Sequence, residues 1–256
     1  MLNNVARLSS VANKVGRHTG TTSDKYTHVS TAHVLDVLAA AGWVPVSGTQ
    51  VRARKENDGF QKHMIKLQNP AYTNALATPQ AVLLNSHNGT GAFKLMVGLN
   101  VRACMNGLIM ASEVYETTNV RHVGYADQKV ELALGKIVNL IPQMMAKMAE
   151  WSSIILTEGQ AVSFALEASQ LRASDSYIVN IHELLRCRHY EQRPLTLWNV
   201  FNRVQEGLVK GGVRVKSTVS GKVQRSRTLK NIAEDIKINQ AIWTLADKTA
   251  KGILTC

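Results

Sequence analysis

Apolar and polar residues change rhythm twice along this chain. Between Thr31 and Ala41 the apolar positions Val34, Leu35, Val37 and Leu38 fall on one helical stripe, with Ser30 or Thr31 placed to cap it. Gly42 ends that helix, and Pro45 forces an extended path beyond it. Alternation then takes over. Gly48–Lys55 predicts a strand, Asn57-Asp58-Gly59 a turn and Lys62–Gln68 a second strand. After the Asn69-Pro70 break, Ala81–Ser86 continues the β pattern, Asn88-Gly89 predicts a hairpin turn, and the return strand runs from Ala92 to about Arg102. From Gln128 the period is helical. A long helix is predicted over Gln128–Glu150, with Asp127 as N-cap and Pro142 kinking it or dividing it in two. Further helices are expected over Glu158–Arg172, Ser176–Arg188, Leu195–Lys210 and Asn231–Lys251.

Strands followed by helices predict an α+β fold: an antiparallel β-sheet packed on a long helix, in β-β-β-α order, then a helical C-terminal region. The 256 residues suffice for a large core. The pattern divides them into a basic leader (1–23), an α+β core with a basic sheet face (24–150) and a helical C-terminal region (151–256) with a basic hairpin or loop at 207–233. Residues 1–23 hold no acid and carry Arg7, Lys14, Arg17 and His18, which fits either a flexible leader or a basic arm.

Charge narrows the partners. Thirty Lys+Arg stand against 18 Asp+Glu, a net charge of +12. Such a surface attracts polyanions, nucleic acid before an anionic membrane. No stretch approaches the roughly 18–20 apolar residues of a spanning helix, so no membrane partner is expected. Cys104, Cys187 and Cys256 are widely spaced and odd in number, which fits a reducing, cytoplasmic location.

Catalytic patterns fail on inspection. His182-Glu183 begins an H-E-x-x-H, but Arg186 stands where the second histidine is required. Neither a phosphate-binding G-x-x-x-x-G-K-[ST] loop nor a G-x-S-x-G elbow occurs. Gly89-Thr90-Gly91 lies at a hairpin tip, not between a strand and a helix. No acid lies between Gly59 and Ser112, so a carboxylate metal site has no ligands on the predicted sheet. The expectation is a protein that is not an enzyme and needs no metal or cofactor.

Successive strand residues point to opposite faces, so each face can be read separately. Val51 and Ala53 share one face of the first strand, and Gln50, Arg52 and Arg54 the other. In the second strand His63, Ile65 and Leu67 oppose Lys62, Met64, Lys66 and Gln68. In the last, Phe93, Leu95, Val97, Leu99 and Val101 oppose Lys94, Met96, Gly98, Asn100 and Arg102. One face is then core, and the other carries Arg52, Arg54, Lys62, Lys66, Lys94 and Arg102 without an acid. Like charges on neighbouring strands repel, so such a face predicts an external anion; the alternative is a solvated lysine-rich surface. A slip of one residue in any strand would flip that row.

A second acid-free tract, Gly207–Ala233, holds Lys210, Arg214, Lys216, Lys222, Arg225, Arg227 and Lys230. Val213, Val215 and Val219 alternate with polar residues, which fits a hairpin turning near Ser220-Gly221 or a mobile basic loop. Lys216, Lys222, Arg225 and Arg227 join the sheet cations as candidate phosphate contacts. Trp43, Trp151, Trp198 and Trp243 follow apolar positions and are expected in the core, while Tyr26, Phe60 and Tyr72 lie near the basic strands and are candidates to stack on bases. The polar group Asn85/Ser86/His87 with Arg102 and Asn106 reads as a strand-end hydrogen-bond network or, less simply, as a site.

Several blocks resemble the phage/plasmid-like protein family, a domain of unknown function. They are Ser23–Tyr26, Leu83–Thr90, Val101–Asn106, Val120–Gly124 and Leu197–Asn202. The resemblance implies a mobile-element origin, hence the cytoplasm of a bacterial host cell, and brings no catalytic residues. A weaker, topological similarity links the helix ending in Gly42-Trp43, the strands and the long helix to single-strand annealing proteins. That similarity implies binding of single-stranded DNA, or of duplex DNA or RNA, through the backbone without strong sequence preference, by a homo-oligomeric ring or filament acting in DNA recombination. The alternative is a protein-binding factor of a mobile element that alters a host defence or replication enzyme.

Overall fold

The computed structural model describes residues 11, 18, 20–22, 24, 26–54, 58–73, 77–89, 91–101, 106–110, 118–120, 127–172 and 177–254, with side chains outside 101–130. The chain divides into two compact units, residues 1–100 with 107–142 and residues 101–106 with 143–256. The α+β expectation holds: antiparallel sheets are combined with helices.

In the first unit, helix α1 (Thr31–Ala40) starts where the Ser30 hydroxyl accepts the His33 N–H at 3.3 Å. Its end explains the Gly-Trp pair. Gly42 takes φ 84°, its N–H bonds to Ala39 O and the Trp43 N–H reaches back to Leu38 O, both at 2.9 Å. These are the two bonds of a Schellman cap, in which a left-handed residue frees the chain to turn and the next residue packs back on the helix. Trp43 is fully buried there, its ring stacked on Tyr72.

Strands β1 (Val44–Gln50), β2 (His63–Gln68), β3 (Ala77–Asn85), β4 (Phe93–Val101) and β5 (Asn106–Met110) lie side by side in that order, and β6 (Thr118–Val120) pairs with β4. The sheet therefore has six strands among the described residues, more than the four segments predicted or the β-β-β-α order drawn from them. β1 ends at Gln50 instead of continuing to Lys55, with a register shift between Pro45 and Ser47. β3 begins earlier than expected and takes in Pro79. That residue lies just past the last β2 pairing, Gln68 with Gln80, where a missing N–H breaks no β2–β3 bond. All nine positions of β3 are buried, as are Phe93 and Leu95–Leu99 of β4, so these strands are covered on both faces.

Helix α2 (Asp127–Ser153) runs through Pro142 as one helix, so the division expected as one of two outcomes does not occur. A proline in a helix interior costs one hydrogen bond and a clash, about 3 kcal/mol. Against that cost stands one buried stripe that keeps its phase on both sides: Leu134, Ile137 and Ile141 before the proline, Met144, Met148 and Trp151 after it. The division between the compact units nonetheless falls at Pro142.

The second unit gathers α3 (Glu158–Gln170), α5 (Leu197–Val209) and α6 (Ile232–Leu254) with the end of α2. A capping box opens α3, with Thr157 Oγ1 accepting from Gln160 N at 3.2 Å and Gln160 Oε1 accepting from Thr157 N at 2.8 Å. Trp151 lies 4.2 Å from Trp243 and 5.7 Å from Phe201, and Trp198 stacks on Phe201 at 5.6 Å, so all four tryptophans are core as expected. α5 is buried nearly all round, and its long polar side chains bond within the protein: Arg203 donates from its terminal nitrogens to the carbonyls of Leu185, Gln192 and Arg193, its Nε finding no described acceptor, and Gln205 donates to Asn239 Oδ1.

The helix predicted over Ser176–Arg188 is not formed. In its place stand β7 (Tyr177–Val179) and a single turn, α4 (Ile181–Leu184), capped by the Asn180 side chain accepting from Glu183 N. Tyr, Ile and Val prefer a pleated surface, and here they have one. β7 pairs with β8 (Arg214–Ser217), which pairs with β9 (Val223–Arg225), making a three-stranded antiparallel sheet.

Candidate nucleic-acid interface

Residues directly opposite one another in an antiparallel pair share a face. Gln50 stands opposite His63, Thr49 opposite Met64 and Gly48 opposite Ile65. Gln50 thus belongs to the His63–Ile65–Leu67 face, not to the Lys62–Lys66 face. The parity that was to carry Arg52 and Arg54 onto the latter is reversed by one residue of register. The ladder also stops there: the Val51 N–H bonds to Lys62 O at 2.9 Å, and Arg52 and Arg54 lie exposed on the segment beyond.

The lysines that do keep the expected side are not on an open surface. Lys66 is half-buried, opposite Ser47 on one side and the fully buried Val82 on the other; Met64 and Leu84, on the same face, are also buried. Lys94 is half-buried in β4, two residues from buried Met96. Lys62 is half-buried with its side chain against Gly91, where a Cβ would stand 3.3 Å from its Cε. Arg102 lies outside the described residues. The expected continuous cationic face is therefore corrected: Lys66 and Lys94 are interleaved with core side chains, and Arg52 and Arg54 lie past the end of β1.

The second tract is different. It forms the hairpin anticipated as one of two possibilities, with Gly221 at φ 67° in the turn and Ser217 N bonded to Lys222 O at 2.9 Å. Cross-strand partners place Arg214, Lys216, Val223, Arg225 and Ile178 on one face, and this face is exposed. Lys222, Arg227 and Lys230 are exposed as well. Two cations are spoken for. Glu183 pairs with the Arg214 guanidinium and accepts the Arg214 N–H at 2.7 Å; that backbone bond, then the guanidinium, holds its carboxyl below the usual range. Lys210 reaches Glu206 at 3.5 Å. Arg225 donates to Gly212 O at 2.6 Å. Among the described residues, Lys216, Lys222, Arg227 and Lys230 face no carboxylate within ion-pair distance. On the other face Tyr177, Val179, Val215 and Gln224 border a cavity of about 420 Å³, into which Arg172 and Arg227 also project. Neither Tyr177 nor Arg172 was a candidate on sequence grounds, because 176–188 reads as a helix. The β-branched run after Tyr177 was the available signal.

The Asn85/Ser86/His87 group is a buried hydrogen-bond network. Thr31 Oγ1 sits at its centre, accepting from Asn85 Nδ2 at 3.0 Å and lying 2.9 Å from His63 Nε2 and 3.3 Å from His87 Nε2. Carbonyls accept only, so the neighbours assign the protons. His63 Nδ1 faces Gln61 O at 3.0 Å and must carry its hydrogen, leaving Nε2 to accept from Thr31. His87 Nε2 faces Val11 O at 3.1 Å and must be the donor. Burial pushes the His63 pKa down to about 4, against the opposing effect of the Gln61 carbonyl. The network ties the N-terminal residues to the sheet: Val11 is fully buried, and His18 N bonds to His87 O at 3.2 Å. The three aromatics offered as base-stackers are engaged within the protein, Tyr72 on Trp43, Phe60 edge-on to His18, and the Tyr26 hydroxyl donating to Ser86 O. Asn106 is the first residue of β5, and its side chain is outside those described.

Antiparallel sheets with helices, no described group of three or more metal-ligating side chains, and cations gathered on a short hairpin define an α+β protein without a nucleotide-binding doubly wound core. The chain belongs to the family described as Domain of unknown function (DUF932), which matches residues 18–243. The resemblance to a phage/plasmid-like family of unknown function is thereby borne out. The chain is 28% identical over 227 residues to UPF0380 protein YafZ of Escherichia coli (strain K12), covering 88% of this chain and 82% of that protein. It is 27% identical over 227 residues to UPF0380 protein YfjQ of the same organism, with the same coverage. No solved structure matches. No described helix is long and apolar enough to cross a membrane.

Proposed function

We propose that this protein is a non-enzymatic nucleic-acid-binding protein that holds single-stranded DNA by its phosphates, as a recombination or annealing factor of a mobile element. The observation that supports the reading is the acid-free tract folded as an exposed hairpin. Lys216, Lys222, Arg227 and Lys230 have no carboxylate partner among the described residues, and phosphates would supply the missing charge. The half-buried Lys62, Lys66 and Lys94 are at best secondary.

Counterion release makes the reading measurable. Each phosphate contact on a single strand adds about −0.7 to the slope of log affinity against log salt, so four contacts give about −2.8. Fluorescence anisotropy of a labelled single strand across a salt series should return that slope, nearly independent of base sequence. Changing Lys216 and Lys222 together to Ala should flatten it by about 1.4. An unchanged slope in a folded double variant would sink the proposal.

A second reading, docking on an acidic protein surface, is favoured by the apolar side chains among these cations: Ile178 is 61% exposed, Val223 57% and Val219 89%. Val223→Ser should weaken such a partner and leave the salt slope for DNA as it was.

A further inference from the structure

The cavity behind the hairpin lies wholly within the second unit, and its walls have a composition that the outer cationic face lacks. Its floor is apolar: Leu208, Val213 and Val215 are all buried. Tyr177 stands at the rim and is 39% exposed. Among the described residues no carboxylate lines the space, although Glu234 lies within electrostatic reach of Arg172, and the volume of about 420 Å³ falls in the range of small-molecule pockets, roughly 300–1,000 Å³.

Hydrogen-bonding capacity is also left over. Arg172 spends one N–H on Leu208 O and one on Arg227 O, which fixes its guanidinium across the cavity wall. A guanidinium has five N–H donors, so three have no acceptor among the described residues, with the Glu234 carboxylate near enough to favour the charge. Ser226 Oγ accepts the Val213 N–H at 3.2 Å, and its own hydrogen has no acceptor among the described residues. Gln224 is exposed, with no described partner for its amide. A planar apolar body with polar edges and an attached anion satisfies this set: rim ring to face, amide and hydroxyl to edges, guanidinium to charge. Arg227 joins the two surfaces, since it belongs to the exposed tract and also lines the cavity.

We infer that this cavity seats a single nucleotide unit, its base against Tyr177 over the valine floor and its phosphate toward Arg172 and Arg227. The inference deepens the proposed function and rests on it where the unit belongs to a bound strand; a free nucleoside phosphate presents the same chemistry. The role of the pocket would be to add base contacts to a grip otherwise made on phosphates alone.

The experiment compares three probes on the full-length protein: an oligothymidylate, an abasic strand of equal length, and free thymidine monophosphate set against inorganic phosphate. Stacking of one base on an aromatic side chain makes the oligothymidylate bind about tenfold or more tightly than the abasic strand. Tyr177→Leu should abolish that difference without altering the salt slope, Tyr177→Phe should restore it, and Gln224→Leu should reduce it. Equal binding of the two strands by the wild-type protein overturns the pocket and leaves the phosphate reading intact. Monophosphate binding that depends on Tyr177, with no binding of either strand, supports the pocket as a nucleotide site and overturns the strand reading. No binding of any probe overturns both.

Discussion

His63 shows how much one buried side chain is constrained by its neighbours. Its Nδ1 hydrogen is demanded by Gln61 O, and its Nε2 lone pair is taken by Thr31, whose oxygen already accepts from Asn85. A second proton would point at an oxygen already crowded with donors, inside a site that disfavours charge. The folded pKa of about 4 lies below the ordinary 6.5, so on acidification the unfolded chain takes up the proton first. The contribution of His63 to stability is therefore complete above pH 6.5, declines as pH falls from there toward 4, and is lost, by about 3 kcal/mol, once both states are protonated. Urea unfolding at both ends of that window should show the decline, and His63→Gln, which cannot charge, should show it reduced by this amount. Identical pH dependence in the variant would mean that His63 takes up its proton as readily in the folded protein as in the unfolded chain.

Elements carry the second kind of information, and α2 is the instructive one. Its stripe from Leu134 to Trp151 is buried on both sides of Pro142, which is why the helix survives a residue that should break it. Replacing Pro142 by Ala restores an N–H and removes the clash, and should raise the unfolding free energy by up to about 3 kcal/mol. Thermal denaturation checks this; a lower melting temperature would show that the proline is needed where the compact units part. The hairpin obeys its own local rules. Gly211 takes φ 76° with a hypothetical Cβ only 2.6 Å from Ser226 O, so the turn into β8 and the strand leaving β9 meet at a position only glycine can hold.

At the scale of the molecule, the four cations of the 207–233 tract that face no described carboxylate, Lys216, Lys222, Arg227 and Lys230, would offer few phosphate contacts per protomer. A long single strand would be held only if many protomers line up along it. Sedimentation velocity should therefore show assembly into a ring or filament on adding single-stranded DNA. A strict monomer with and without DNA would favour the protein-docking reading instead.

The local signals were legible in the residues themselves. Thr31–Ala41 with its Gly42 stop, Asn88-Gly89, the helix over 158–172 and the apolar positions of the four tryptophans all appear close to where the pattern put them, because caps, turns and amphipathic stripes are set by neighbours a few residues away. The exposed hairpin at 214–225 was legible for the same reason. Register and coverage were not. Whether Gln50 meets His63 or the residue beside it is decided by the shift at Pro45–Ser47 and the early end of β1, and one residue moves every side chain to the other face. Lys66 and Lys94 look like surface residues in an alternating pattern, yet they sit among Met64, Val82 and Met96 in strands covered on both sides. Tyr177–Val179 became a strand only because β8 was there to pair with it. Pairing partners distant in sequence supply those hydrogen bonds and that burial, so only the tertiary structure could move the candidate site from the large sheet to the hairpin and open the cavity behind it.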